Sequence, residues 1–443
     1  MILHEMETAN RNLIEKQQLQ DLQTTLISVY EHVPLYRSRF QELNLTPQNL
    51  QSLQDIQSFP FTTKKDLHRH YPFGLMAVKT NTLARIHASS GTSGKPTVVG
   101  YTKQDIHNWA KLVARAISIA GGQPGDMLQN AYGYGLFTGG LGLHHGAEEL
   151  GVTVIPISGG NTDRQIMILE DLQPTILSAT PSYALNIAER MIELGKDPRK
   201  SSIKIGMFGA EPWSEEMRKT LEEMFAIKAC DIYGLSEVLG PGVAMECCEG
   251  QDGLHLAEDQ FLIEVIDPET LKPLPEGQAG ELVFTSLKKQ AFPIVRYRTG
   301  DIASLTTEKC KCGRTTARMS RVKGRIDDMM IVRGVNVFPS QIEHYLIQVK
   351  NIAPHYQVCL KKSATLDEVE LHAEITEDLY SAAGCDLFNP LIKGLEMEIQ
   401  EIMKSKCLVS MKVILHPPKS LPRSEGKAVR IVDQRKQSLK ATL

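Results

Sequence analysis

The chain lacks most of what would hold a protein in a membrane or outside a cell. Among 443 residues there are only 8 cysteines, too few for a scaffold stapled by disulfides. No apolar run reaches the ~18 residues needed to span a bilayer. The first residues are polar and charged where a secretory leader would be apolar. These absences lead to the expectation of a cytoplasmic protein with no membrane partner. An excess of one charge is also missing. The 49 Lys and Arg face 52 Asp and Glu, a net charge of −3, which argues against an electrostatic nucleic-acid binder. Pairs such as Lys64-Lys65 and Lys361-Lys362 read as solvated surface. Internal repeats and low-complexity tracts are absent from the sequence.

What remains is an ordinary globular composition, 42% hydrophobic and 23% charged, in a chain long enough for more than one domain. Leu19, Leu22, Leu26, Val29, Tyr30 and Val33 recur at helical steps until Pro34 ends the pattern. Thr46-Pro47 offers a cap and a first-turn proline for a second helical piece. Between about 80 and 235, short apolar runs (152–156, 175–178, 203–208) alternate with helical patterns (183–194, 214–225). This predicts a layered α/β body. Runs at 261–266 and 280–284, separated by turn-rich stretches, predict a small antiparallel region. Strand-like 355–360, 369–375 and 411–415, with helix-like 340–349 and 390–404, predict a smaller α+β module. The expected fold class is therefore α/β, a large N-terminal domain over 1–326 and a mobile C-terminal domain over 327–443. The boundary falls at the glycine-led polar segment Gly324-Arg325-Ile326-Asp327-Asp328.

The densest local signal is Ser89-Ser90-Gly91-Thr92-Ser93-Gly94-Lys95-Pro96. Small residues leave backbone N–H groups free to approach phosphate oxygens, hydroxyls add donors, and Lys95 adds a cation. The bland reading is a flexible surface turn. A Walker A loop fails on two counts: its first glycine is replaced by Ser89, and Pro96 stands where a hydroxyl should follow the lysine to hold magnesium. Gly133-Tyr-Gly135-Leu-Phe-Thr138 likewise lacks the third glycine of a dinucleotide fingerprint.

The loop resembles the phosphate-binding motif of the adenylate-forming superfamily. Further segments match that superfamily in order: Asp231-Ile232-Tyr233-Gly234-Leu-Ser-Glu237, Tyr297-Arg-Thr-Gly-Asp301, Gly324-Arg-Ile-Asp-Asp328 with Gly334-Val-Asn-Val-Phe-Pro339, and Pro422-Arg-Ser-Glu-Gly-Lys427. Tyr132-Gly-Tyr-Gly-Leu-Phe-Thr-Gly-Gly-Leu-Gly142, Gly209-Ala-Glu-Pro-Trp213 and Val335-Asn-Val-Phe-Pro339 are similar to the phenylacetate–CoA ligase branch, over essentially the whole chain.

The resemblance implies two half-reactions: a carboxylate attacks the α-phosphate of ATP, and coenzyme A then displaces AMP. It assigns catalytic parts to Lys427 and to Glu237, the latter holding Mg2+. ATP or AMP falls to the 89–95 loop, Gly209, Ala210, Glu211, Asp231, Ile232, Tyr233, Gly234, Asp301 and Arg325. In this scheme Tyr233 stacks on adenine and Asp301 accepts both ribose hydroxyls, since a carboxylate matches a vicinal diol. An aryl acid, with phenylacetate first, falls to Tyr132, Tyr134, Phe137 and Gly139, because aromatic walls and close-approach glycines suit a flat ring. Coenzyme A falls to Arg333, Gly334 and Val335, with a hinge at Asp327. Each has a structural counter-reading: a core aromatic, a turn aspartate, a surface lysine in a Pro-rich loop. A homodimer is implied as well. Loading of a carrier-protein thiol is the competing function; the absence of a following carrier domain favours free coenzyme A. A non-catalytic relative would be expected to lack Glu237, Asp301 or Lys427.

Cys310-Lys-Cys312-Gly313 resembles half a zinc knuckle. With His255 and either Cys247 or Cys248 it would complete a Cys3His set for Zn2+. The sequence reading leans to Cys248 and leaves free thiols as the alternative. Such a site would be structural. Cys230, Cys359, Cys385 and Cys407 read as ordinary thiols.

Overall fold

The computed structural model describes residues 1–89, 96–332, 335–363 and 366–435. The chain divides into two compact units. The first comprises Met1–Thr180, Arg199–Ala210 and Ile227–Arg321; the second comprises Pro181–Pro198, Glu211–Ala226 and Val322–Leu443. The units part at Arg321, a few residues before the cut expected at 326/327. The second also takes in the helices Pro181–Glu193 and Glu215–Phe225, which the sequence pattern had placed in the α/β body. Polar contacts within that unit account for the grouping. Glu343 accepts from the Ser214 N–H at 3.1 Å, and His355 Nε2 lies 2.7 Å from Glu189.

In the first unit, a hairpin of β1 (Arg85–Ser89) and β2 (Thr97–Tyr101) flanks the glycine-rich loop; Ser90 to Lys95 lie outside the described residues. The main sheet uses β3 (Met127–Asn130), β4 (Thr153–Ile155), β5 (Ile176–Ala179), β6 (Ile205–Gly209), β7 (Lys228–Leu235), β8 (Gly240–Glu246) and β9 (Leu254–Leu256). The strands β10 (Phe261–Ile266), β11 (Gly280–Ser286) and β12 (Tyr297–Ala303) pair antiparallel in that order. Finally β13 (Leu305–Thr306) and β14 (Arg318–Met319) return to the main sheet, whose order is β13-β14-β9-β8-β7-β6-β5-β3-β4. Strands β3 to β7 are mutually parallel; β8, β9, β14 and β13 are added antiparallel. All four residues of β5 are buried, as a parallel strand covered on both faces requires.

Local chemistry explains the helices. The Asn10 side chain caps Arg11–His32 by accepting from the Leu13 N–H at 2.9 Å. Pro34 has no N–H to continue that helix, yet its fixed φ suits a first turn. It both ends the first helix and opens Pro34–Glu42. Thr102 and Asp105 form a capping box at Lys103–Ile119. Against that helix lies Thr138–Leu150, whose Gly142 and Gly146 face Trp109 and Val113 so closely that an added Cβ would stand 2.5 and 2.3 Å from them.

The second unit is a four-stranded sheet in the order Lys412–His416, Leu366–Ile375, Ile352–Ser363, Ile431–Asp433. A central antiparallel hairpin has a parallel strand on each side. Ile342 and Leu346 of the helix Pro339–Leu346, and Ile392, Ile399 and Met403 of Pro390–Lys406, pack with Val358, Leu371 and Val413. This matches the α+β module read from the sequence, with the two hairpin strands longer than expected and the strand Ile431–Asp433 not foreseen.

Gly146→Ala should destabilise the first unit by about 1–3 kcal/mol, the usual cost of overpacking. Urea unfolding would show it as a lower midpoint at unchanged slope, and an unchanged midpoint would mean that the two helices can separate freely.

Candidate active site

Parallel strands present their carboxyl ends at one edge, where α/β sheets bind ligands. The strands β3, β5, β6 and β7 end at that edge, and expected site residues sit there or just beyond: Tyr132, Tyr134, Phe137 and Gly139 after β3, Gly209 at the end of β6 with Ala210 next, Gly234 near the end of β7, and Glu237 after it. The close approach is glycine-dependent. A Cβ on Gly209 would stand 2.1 Å from the Ile232 carbonyl oxygen, and one on Gly234 would stand 2.0 Å from that of Gly240. Ala210 has φ +68°, left-handed backbone that a residue with a Cβ seldom adopts. The strip turns sharply where β6 ends.

Tyr233 and Asp301 are brought together. The Tyr233 hydroxyl donates to Asp301 Oδ2 at 2.7 Å, and its ring stacks with Phe284 at 6.1 Å. Asp301 is buried and lies on β12, so a residue of the antiparallel region is joined to the parallel edge. The Asp231 backbone N–H donates to Glu246 at 3.0 Å, and its carboxylate lies 3.9 Å from Arg321. Ile232 is buried in register opposite Gly209.

Glu237 is half-buried on the β7–β8 turn, and its neighbours are held from several directions. Thr138 bonds Ser236 at 3.0 Å, Lys289 donates to the Val238 carbonyl at 3.2 Å, Tyr101 to that of Leu239 at 2.6 Å, and Trp109 to that of Pro241 at 3.0 Å. Lys289 was not recognised from sequence. It is buried, with its ammonium 4.3 Å from the Tyr101 ring centroid; burial lowers its pKa to about 8, and the Asp105 and Glu237 charges oppose that fall. Asp105 in turn accepts from the Gln290 and Ala291 N–H groups at 2.7 and 3.0 Å. In sequence Lys289 stands between Lys288 and Gln290, a polar stretch that reads as solvated surface and gives no signal of burial.

The aromatic segment is anchored too. Asn130 donates to the Tyr134 hydroxyl at 2.9 Å and to the Gly140 carbonyl at 2.8 Å. Burial raises Tyr134 to about 12, against the opposing bond from Asn130. Tyr132 is buried, Phe137 half-buried, and a Cβ on Gly139 would stand 2.4 Å from the Phe137 ring. His87 holds the Leu136 carbonyl at 3.0 Å.

In the second unit, Lys427 is exposed and its carbonyl accepts from Ser424 at 2.8 Å. Glu211 belongs to this unit. Its carboxylate takes the N–H groups of Ser182 at 2.9 Å and Ala428 at 2.7 Å, next to Lys427. Glu374, also missed, anchors the approach to that loop. It takes Arg423 through two bonds of 2.7 and 2.8 Å and the N–H groups of Lys419 and Leu421 at 3.0 and 2.6 Å. Burial alone would raise its pKa, but Arg423 and the Leu421 N–H hold it below the usual range. Arg325 lies 4.0 Å from Asp328, and Asp327 is exposed in the short turn Ile326–Asp328. Val335 is half-buried, while Arg333 and Gly334 lie outside the described residues.

The cysteine choice is corrected. Cys247 joins His255, Cys310 and Cys312, with their ligand atoms all within 4.8 Å of one another. Cys248 lies instead against Glu249, at 3.4 Å. Cys247 directly follows β8, whereas Cys248 opens the turn at 248–250, where the chain changes direction.

A parallel sheet edge with a glycine-bounded strip, a tyrosine-held aspartate and a strapped glutamate, followed by a separate α+β module, defines an adenylate-forming enzyme. Family models agree: AMP-binding enzyme over residues 3–287 and AMP-binding enzyme C-terminal domain over 334–435. The chain is 48% identical to phenylacetate–coenzyme A ligase of Thermus thermophilus, covering 98% of this chain and 99% of that one. It is also 48% identical to phenylacetate–coenzyme A ligase of Pseudomonas putida, covering 98% and 97%. A crystal structure of 2-hydroxyisobutyryl-CoA ligase in its postadenylation state superposes with TM-score 0.91 at 28% identity, over 99% of this chain and 93% of that one. The chain belongs to the phenylacetate–CoA ligase family of the adenylate-forming superfamily.

Glu374→Gln should cost about 2 kcal/mol, the typical loss for hydrogen bonds to a charged group. The carboxylate's folded pKa is depressed, so its contribution is present above the unfolded pKa and is lost as pH falls through the folded value. The stability gap between wild type and variant, followed by denaturant melts, should narrow in acid. A gap that widens in acid would contradict the anchoring role.

Proposed function

We propose that this enzyme activates phenylacetate, or a close aryl acid, with ATP and transfers the acyl group to coenzyme A, acting in the cytoplasm as a homodimer. The observation that carries the reading is the Tyr233–Asp301 pair beside the Gly209–Ala210 strip, at the same sheet edge as the Tyr132–Phe137 segment. The first element suits a ribose and purine, and the second suits an aromatic acid.

In the first half-reaction the substrate carboxylate attacks the α-phosphate and pyrophosphate leaves. Two anions meet, so fixed cations must offset their repulsion. Lys427 supplies one, its ammonium bridging the attacking carboxylate and the α-phosphate. Glu237 fits Mg2+: a half-exposed carboxylate is a hard oxygen ligand, and its loop is tied at Ser236, Val238 and Leu239 so that little ordering remains on binding. When bound, that ion would neutralise phosphate charge. Asp301 positions the ribose, and the glycine-rich loop holds the phosphates. In the second half-reaction the coenzyme A thiolate attacks the acyl carbonyl and AMP departs; the sequence resemblance assigns Arg333, Gly334 and Val335 to coenzyme A.

Lys427 and the Arg333–Val335 segment both lie in the last quarter of the chain, so the proposal includes a turn of that quarter about Asp327 between the half-reactions. A relative supports it: 2-hydroxyisobutyryl-CoA ligase has been solved in both postadenylation and thioesterification states, which match this chain with TM-scores of 0.91 and 0.71.

The test is pyrophosphate release from ATP with aryl and aliphatic acids, with and without coenzyme A. Release that depends on phenylacetate, with a thioester appearing when coenzyme A is added, is expected. Acid-dependent release without a thioester would move the acceptor to a carrier protein, and no release with any acid would sink the reading. Lys427→Ala should slow pyrophosphate release by about a hundredfold, the scale of losing one preorganised charge-stabilising group. It should leave thioester formation from supplied phenylacetyl-adenylate within a few fold. Equal losses in both steps would remove Lys427 from its assigned role.

A further inference from the structure

The cysteine–histidine grouping takes no part in this chemistry, and its geometry is that of a metal site. Cys247 Sγ lies 3.6 Å from Cys310 Sγ, and Cys312 Sγ lies 3.3 Å from His255 Nε2. Tetrahedral zinc with Zn–S of ~2.3 Å and Zn–N of ~2.0 Å has S···S edges of ~3.8 Å and S···N edges of ~3.5 Å. A disulfide needs ~2.05 Å, so Cys247 and Cys310 are spaced as co-ligands and are too far apart to be bonded.

The surroundings are built to match. Thr316 Oγ1 lies 3.1 Å from His255 Nδ1, fixing the ring so that Nε2 faces the thiols, the usual support for a metal-bound histidine. The Gly250 N–H donates to Cys247 Sγ at 3.3 Å. A Cβ on Gly250 would stand 3.0 Å from Cys310 Sγ and 3.1 Å from Cys247 Sγ, so the turn must be bare to wrap the sulfurs. Gly313 has φ +88°, which lets the chain reverse directly after Cys312. Three thiolates and Zn2+ leave one negative charge, and two cations adjoin it. The Arg314 carbonyl accepts from the Cys310 N–H at 3.3 Å, and Arg318 pairs with His255 across β14 and β9.

We propose that Cys247, His255, Cys310 and Cys312 hold one structural zinc ion, and that this knot fixes the N-terminal segment to the edge of the main sheet. Cys247 follows β8, His255 lies on β9, and the other two lie on the loop between β13 and β14. The ion therefore closes that loop onto the sheet edge. All four positions are filled by protein, as in a structural site. The residues after Cys312 carry the link to the N-terminus. Arg314 donates to Glu7 at 2.7 Å, the Thr315 N–H to the Glu7 carbonyl at 2.9 Å, and the Thr315 hydroxyl to the Ala9 carbonyl at 2.6 Å.

Elemental analysis of the full chain, purified without chelator or affinity metal, should find one zinc per chain. Cys247→Ser and Cys312→Ser should lose it, and Cys248→Ser should keep it. Exchange of Co2+ into the wild type should give the intense thiolate charge-transfer and tetrahedral d–d bands of a thiolate-rich site, a readout that does not depend on whether the variants fold. Removing the metal should lower Tm and open residues 1–11 to limited proteolysis before the rest of the sheet is cut. A wild type that takes up neither Zn2+ nor Co2+, or zinc lost in Cys248→Ser but kept in Cys247→Ser, would overturn the site. Cleavage near the N-terminus at the same rate with and without metal would overturn the clamp. Neither result bears on the ligase reaction, which pyrophosphate release measures separately.

Discussion

Backbone contact at distances that only glycine permits is the constraint on which the ligand edge depends. Gly209 meets the Ile232 carbonyl, and Gly234 meets that of Gly240. These contacts bring the ends of β6 and β7 together and set the origin of the loop bearing Glu237. The same rule holds behind the sheet, where Gly142, Gly146 and Gly240 admit Trp109 and Val113 at distances that would exclude a Cβ. Trp109 then has its indole N–H free for the Pro241 carbonyl. A larger residue at any of these positions would shift the Glu237 loop as well as the helix behind it.

On this frame, charges are buried for position. Asp105 is both half of a helix capping box and the acceptor for the Gln290 and Ala291 N–H groups, so it fixes the start of one helix and the residues beside Lys289 together. Lys289 donates one N–H to the Val238 carbonyl and sets its ammonium charge against the Tyr101 ring. Each of these groups loses solvation on burial, and each is matched by more than one partner, the condition under which a buried charge orders a structure without unfolding it. Glu374 does for the Lys427 loop what Lys289 does for the Glu237 loop. In both, a buried ion fixes a loop that carries a residue proposed for the chemistry.

The motifs were legible because each is a short run of neighbouring residues that resembles a segment of the adenylate-forming superfamily. Glycines and hydroxyls at 89–95, the Tyr-Gly-Leu-Ser-Glu run to Glu237 and Asp301 after Gly300 can be read with no knowledge of what lies beside them. The α/β alternation and the α+β end module were legible for a similar reason, since strand and helix periods are local. The supports were not. Lys289 meets Val238 at a separation of 51 positions in sequence and Glu374 meets Arg423 at one of 49, and no local pattern encodes such pairs.

The sequence by itself determined the superfamily motifs, the order of strands and helices and the donor types of the cysteine cluster, because each is written in neighbouring residues. Tertiary structure decided which of two adjacent cysteines faces His255, because that depends on where β8 ends and which way the chain leaves it. It also grouped the helices Pro181–Glu193 and Glu215–Phe225 with the second unit, through contacts between segments far apart in the chain. Finally, it joined Tyr233 to Asp301, because only the folding of β12 against the antiparallel strands carries a carboxylate 68 residues away into reach of that hydroxyl.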